Sequence, residues 1–119
     1  MINVKIGHDG SGFINRYTIK GHANYGAYGE DIICAAVSIL GHTALRSLVD
    51  VCNIDESEVS YNVDDNIGYL DVKIFINPED FRIKNVQIVL KTFVVGIKSL
   101  VETYPENITL EYRGGGINA

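Results

Sequence analysis

Residues 31–52 read DIICAAVSILGHTALRSLVDVC. Ile33, Val37, Leu40, Ala44, Leu48 and Val51 recur at three- and four-residue steps, which places them on one apolar stripe of a helix. The pattern predicts one helix over the whole stretch. Asp31 stands where an N-cap belongs, because its carboxylate can accept from the free amides of a first turn. Both cysteines of the chain, Cys34 and Cys52, fall in this helix. At a rise of ~1.5 Å per residue they lie about 27 Å apart, far outside the ~7 Å Cα separation of a disulfide. Free thiols suit a reducing compartment.

On the N-terminal side, Ile2, Val4 and Ile6 alternate with Asn3 and Lys5, the pattern of a half-buried strand over residues 2–7. The turn formers His8-Asp9-Gly10-Ser11-Gly12 lead to a second strand over residues 13–20, so the two form a hairpin. Residues 21–29, Gly-His-Ala-Asn-Tyr-Gly-Ala-Tyr-Gly, hold no aliphatic side chain larger than alanine and read as a loop.

On the C-terminal side, Val59, Tyr61 and Val63 form a third strand. Leu70, Val72, Ile74 and Ile76 form a fourth across the turn Asp64-Asp65-Asn66. Asn77-Pro78-Glu79-Asp80 resembles a helix start, and helical periodicity is clear from Asn85 to Tyr104, before Pro105. Ile108, Leu110 and Tyr112 alternate as a last strand, and residues 113–119 read as a frayed tail. The order strand-strand-helix-strand-strand-helix-strand predicts a single α+β domain, with a mainly antiparallel sheet of two hairpins plus a C-terminal strand packed with two helices.

The chain has 119 residues and a formal net charge of -5, which argues against direct nucleic-acid binding through clustered Lys and Arg. The same charge suits a basic partner. The N-terminus has no signal-peptide pattern, and no run of apolar residues reaches the ~20 of a membrane span. A cytoplasmic protein is expected.

The chemistry-bearing residues cluster around the start of the long helix. If Asp31 caps it, Cys34 lies within the first turn, where unpaired amides and the positive end of the helix dipole favour a thiolate. Backbone amides near Cys34 and Ala35 could also hold an oxyanion. His22, pinned at a strand end, could take the thiol proton and return it to a leaving amine. Asp31, Asn24 and Glu30 are rival orienters of that imidazole, and spacing does not choose among them. Ser38 follows Cys34 by one turn, so its hydroxyl can serve the site or bond back to the Cys34 carbonyl. The alternative for Cys34 is a small buried apolar side chain. Cys34 and His42 are separated by ~12 Å of helix, which argues against a shared zinc site. No metal or cofactor is expected.

The segments Gly21-His22-Ala23 and Asp31-x-x-Cys34-Ala35-Ala36-x-Ser38, with Gly29 between them, resemble the bacterial ribosomal-processing cysteine protease family Prp. The likeness extends over the length and element order. It implies that Cys34 is the nucleophile and His22 the catalytic histidine, with Asp31 and Ser38 in support. It implies a substrate loop over Asn24, Tyr25, Gly26, Tyr28, Gly29 and Glu30, and a homodimer. The implied substrate is the precursor of a large-subunit ribosomal protein, the twenty-seventh, whose N-terminal extension is removed after paired phenylalanines. The aromatic rings of Tyr25 and Tyr28 suit stacking on such residues. The rival functions are a non-catalytic ribosome-assembly module with a structural cysteine, and an unrelated thiol enzyme such as a small acyl hydrolase.

Overall fold

The computed structural model describes residues 1–22 and 27–115, with the side chains of 27–31 excepted. The elements are β1 (Ile2–His8), β2 (Ile14–Gly21), α1 (Ala27–Asp50), β3 (Val59–Asp64), β4 (Tyr69–Ile74), α2 (Ile83–Thr103) and β5 (Ile108–Gly114), with a 3-10 turn at Glu56–Glu58. They occur in the expected order and form the expected α+β arrangement. The sheet runs β3-β4-β2-β1-β5. Its pairs are antiparallel except β1 with β5, which are parallel. That parallel pair was not anticipated. It follows from α2, which carries the chain across the sheet before β5 joins the β1 edge.

Alternation sorts the faces. Val4 pairs with Ile19 and Ile6 with Tyr17, while Ile19 and Tyr17 pair in turn with Leu70 and Val72. All six are buried and share one face, since directly opposed residues point the same way. Ile33, Val37, Ala44 and Leu48 of α1 join Val86, Leu90, Phe93 and Ile97 of α2 in the same core. Two glycines permit the close approach. A Cβ on Gly41 would stand 2.6 Å from Cδ1 of Ile19, and one on Gly96 would stand 2.9 Å from Cδ2 of Leu40. Thus α1 settles directly on β2 and β4, and α2 on α1. The buried Tyr17 hydroxyl donates to the Gly41 carbonyl at 2.8 Å, and burial holds its pKa well above the usual phenol range.

Several boundaries differ from expectation. The helix α1 begins at Ala27, four residues before Asp31, because Ala27-Tyr28-Gly29-Glu30 contains no proline and the single glycine costs only ~1 kcal/mol. It ends at Asp50, where the Val51 and Cys52 amides both turn back to the Ser47 carbonyl and Asn53 takes φ 59°. The Asn77 side chain accepts from the Glu79 amide at 2.8 Å, so this segment is a turn and α2 starts later. Residues Arg113 and Gly114 belong to β5, paired with Gly7 and His8, and not to a tail; residues 116–119 lie outside the described residues. The segment Ile32–Asp50 is long and apolar enough to cross a membrane, at a mean hydropathy of 1.7, although polar residues interrupt its apolar run. Its buried side, including Ile33, Val37 and Leu48, forms part of the core beneath which the sheet lies.

Candidate active site

His22 follows the last residue of β2, and its backbone is held on two sides. The Met1 ammonium donates to the His22 carbonyl. The Gly21 amide donates to the Gly68 carbonyl at 3.0 Å, which ties the end of β2 to the turn between β3 and β4. Both glycines have left-handed backbone, φ +106° at Gly21 and φ +62° at Gly68. Neither tolerates a side chain: a Cβ on Gly21 would strike the Met1 carbonyl, and one on Gly68 would strike the Gly21 carbonyl. The imidazole is exposed at this pinned strand end.

Cys34 is half-buried on α1 and packs against the core. Counting Ala27 as the first residue, it is the eighth of the helix and lies beyond the first turn. Asp31 is therefore inside α1 and not its N-cap. The amides of Cys34 and Ala35 are likewise interior helical amides, engaged in the α-helical pattern, so the expectation that they are free to hold an oxyanion is corrected. Stabilisation of a Cys34 thiolate by the helix dipole is correspondingly weak, because that effect falls off within the first turn. Tyr28, Gly29 and Glu30, expected in a substrate loop, have helical backbone. Asn24, Tyr25 and Gly26 lie outside the described residues.

Cys34 and His22 nevertheless share a cleft. They line one cleft of about 180 Å³ together with Ser38, His42, Asp65 and Tyr69. Ile19, Val37 and Leu70 supply its apolar floor. One wall is the α1 stripe of positions 34, 38 and 42; the other is the end of β2 and the β3–β4 turn. Thr92, Ser99 and Thr103 on α2 bond back to carbonyls one turn earlier. Ser38 makes no such bond among the described residues, and its exposed hydroxyl is available to a ligand. Burial raises the Tyr69 phenol pKa, with Asp71 adding to the effect. Cys52, by contrast, is buried away from this cleft, and burial pushes its thiol pKa up, so it is packing.

Of the other lining residues, the sequence brought in His42 only as a rejected zinc ligand, and it did not single out Asp65, Gly68 or Tyr69. His42 had a readable signal, since it continues the four-residue steps of Cys34 and Ser38 on one helix face. The other three had none in their local sequence; only the pairing of β2 with β4 brings that turn beside His22.

The chain and its fold are similar to those of known proteins. The family described as Cysteine protease Prp matches residues 1–109. The ribosomal processing cysteine protease Prp of Staphylococcus aureus strain Mu50 is 29% identical over 113 residues, covering 95% of this chain and all of that protein. The crystal structure of the essential S. aureus Prp with a covalently linked product peptide superposes with a TM-score of 0.77 at 28% identity, over 95% of this chain and all of the other. The crystal structure of SMU.848 from Streptococcus mutans gives 0.81 at 29% identity, over 96% of this chain and 95% of the other.

A five-stranded sheet backed by two helices, with Cys34 and His22 lining one cleft, is here the framework of a cysteine-type peptidase, a hydrolase. The chain belongs to the cysteine protease Prp family.

Proposed function

We propose that the chain is the endopeptidase that trims the N-terminal extension from the precursor of the twenty-seventh large-subunit ribosomal protein, with Cys34 as nucleophile and His22 as proton shuttle. The observation that carries the assignment is the shared cleft: the half-buried Cys34 and the exposed His22 line it from opposite walls. The S. aureus relatives, solved with a covalently linked product peptide and with a substrate peptide, support a peptide substrate.

The reaction divides into two proton-balanced halves. The Cys34 sulfur, its proton passed to His22, attacks the scissile carbonyl carbon. The tetrahedral intermediate collapses, the C–N bond breaks, and imidazolium His22 gives its proton to the leaving amine. The thioester is then attacked by water, whose proton returns to His22, and the Cys34 thiolate leaves. Ser38 presents its hydroxyl to the bound peptide one turn from the sulfur. Asp31 supports the site from the same helix. The protein acts in the cytoplasm as a homodimer on a basic substrate, which its charge of -5 attracts.

The test is incubation with the precursor ribosomal protein, with product masses read directly, beside Cys34→Ala and His22→Ala. Cleavage by the native protein and none by Cys34→Ala is expected. Full cleavage by Cys34→Ala overturns the mechanism, and an intact precursor with the native protein overturns the substrate assignment.

A further inference from the structure

The cleft at Cys34 does not stop at His42. A second recess of about 520 Å³ also has His42 in its wall and runs on between α1 and β3. Its helix wall, Leu45, Arg46 and Val49, continues the stripe of Cys34, Ser38 and His42 at three- and four-residue steps. Its opposite wall is Val59, Tyr61 and Val63, alternate residues of β3. Asp65, next in that alternation, already lines the Cys34 cleft. Two elements thus form two rails with His42 at the junction.

The exposure along the strand rail is unusual for its position. Tyr61 pairs with Val72 and Val63 with Leu70, both core residues, so all four face the helix side of the sheet. Yet Tyr61 is 59% and Val63 43% exposed, because β3 is the edge strand of the sheet. The rim carries Asp50 and Glu56 against the single cation Arg46, with Asp65 at the cleft end. Arg46 and Asp50 pair with each other at 3.7 Å on the helix side, so Glu56 and Asp65 leave the trough, apolar inside, net acidic at its rim.

We propose that this trough between α1 and β3 is the extended subsite of the peptidase, holding the part of the peptide that runs away from the scissile bond. The inference rests on the peptidase reading above. From Cys34 to Asp50 the helix rail is ~24 Å long at 1.5 Å per residue, which an extended peptide of about seven residues spans. The occupant is a strand-like segment with apolar side chains at alternate positions, facing Leu45, Val49, Tyr61 and Val63, and basic residues at the rim. Substrate choice is therefore made partly at residues remote from the bond that is cut, through binding energy gathered along the trough.

The test compares two peptides from the precursor: one reaching about seven residues to each side of the scissile bond, and one trimmed to about three. The native protein should favour the long peptide by roughly tenfold in kcat/KM, equivalent to 1.4 kcal/mol. The double variant Tyr61→Lys/Val63→Lys, at exposed edge positions, should abolish that preference by raising KM for the long peptide. Its rate of Cys34 alkylation by iodoacetamide and its thermal midpoint should match the native protein, which separates a lost subsite from a damaged fold. A variant that keeps the preference, or that slows both peptides alike, overturns the trough while leaving the peptidase reading standing. Failure of the native protein to cut either peptide overturns both.

Discussion

Gly68 abuts His22: a methyl group on Gly68 would stand 3.3 Å from Cε1 of the imidazole while overlapping the Gly21 carbonyl oxygen. The β3–β4 turn is thus a backstop for the histidine. Gly68 also has φ +62°, a conformation side chains other than glycine rarely adopt. Gly68→Ala should cost about 1–3 kcal/mol of stability through backbone strain. It should also lower kcat for precursor cleavage at least tenfold by displacing the imidazole, since small misplacements of a catalytic group have large effects. Denaturant unfolding and single-turnover cleavage measure the two separately. Native kcat in Gly68→Ala would show that the turn does not position His22.

Two histidines line the cleft, and their roles separate by geometry. His42 shares the helix of Cys34 at a backbone separation of ~12 Å, too far for direct exchange between two side chains on one face. His22 approaches from the opposite wall. His22→Ala should therefore reduce kcat by about a hundredfold or more, the usual contribution of a general acid–base group. His42→Ala should leave kcat within about threefold of native and act mainly on KM, because His42 stands where the cleft meets the trough. A collapse of kcat in His42→Ala with an intact fold would reverse the assignment.

Most of this fold was legible in the sequence because its periodicities are clean. The alternation of Ile2, Val4 and Ile6 and the stripe from Ile33 to Leu48 both survive into the core. What was illegible depended on relations between distant segments. The parallel pairing of β1 with β5 is set by where α2 delivers the chain. Asp31 looked like a cap because a carboxylate before an apolar run has that preference. Nothing in Ala27-Tyr28-Gly29-Glu30 stops the helix from starting earlier, and propensity near a helix end is a weak guide. Cys34 and His22 could be chosen by residue type and neighbourhood, whereas Gly68 and Asp65 enter the cleft only through the β2–β4 register.

Arg82 ties together three connecting segments of the chain. Its guanidinium donates to the Asn53 carbonyl at 2.8 Å, to Glu58 at 2.7 Å and to Asp80 at 2.9 Å. Hydrogen bonds from the Arg82 side chain and amide hold the Asp80 carboxyl down at about 2, and Arg82 likewise lowers the Glu58 pKa. A depressed folded-state pKa contributes stability that is complete above the unfolded value, near 4, and is lost as pH falls toward about 2. Asp80→Asn should therefore lie below the native protein in thermal midpoint at pH 5, and the two should converge as pH approaches 2. A constant gap across that range would mean that ionisation of Asp80 does not stabilise the fold.

The open face of the sheet carries one costly charge. Asp71 is 4% exposed and receives two hydrogen bonds from Arg16, at 2.9 and 3.1 Å, and a third from Thr18 at 3.0 Å. The pair spans β2 and β4, two strands whose other face supplies Ile19 and Leu70 to the floor of the Cys34 cleft. Removing the cation alone strands a buried carboxylate, whereas removing both charges removes the desolvation penalty as well. Arg16→Met should destabilise the protein by about 3 kcal/mol, the lower end for breaking such a pair, because Arg16 retains 20% exposure. Arg16→Met combined with Asp71→Leu should recover at least half of that loss. Urea unfolding of the native protein, both single variants and the double variant closes the cycle. A double variant less stable than Arg16→Met would show that the carboxylate is held favourably by Thr18 and the strand without its arginine.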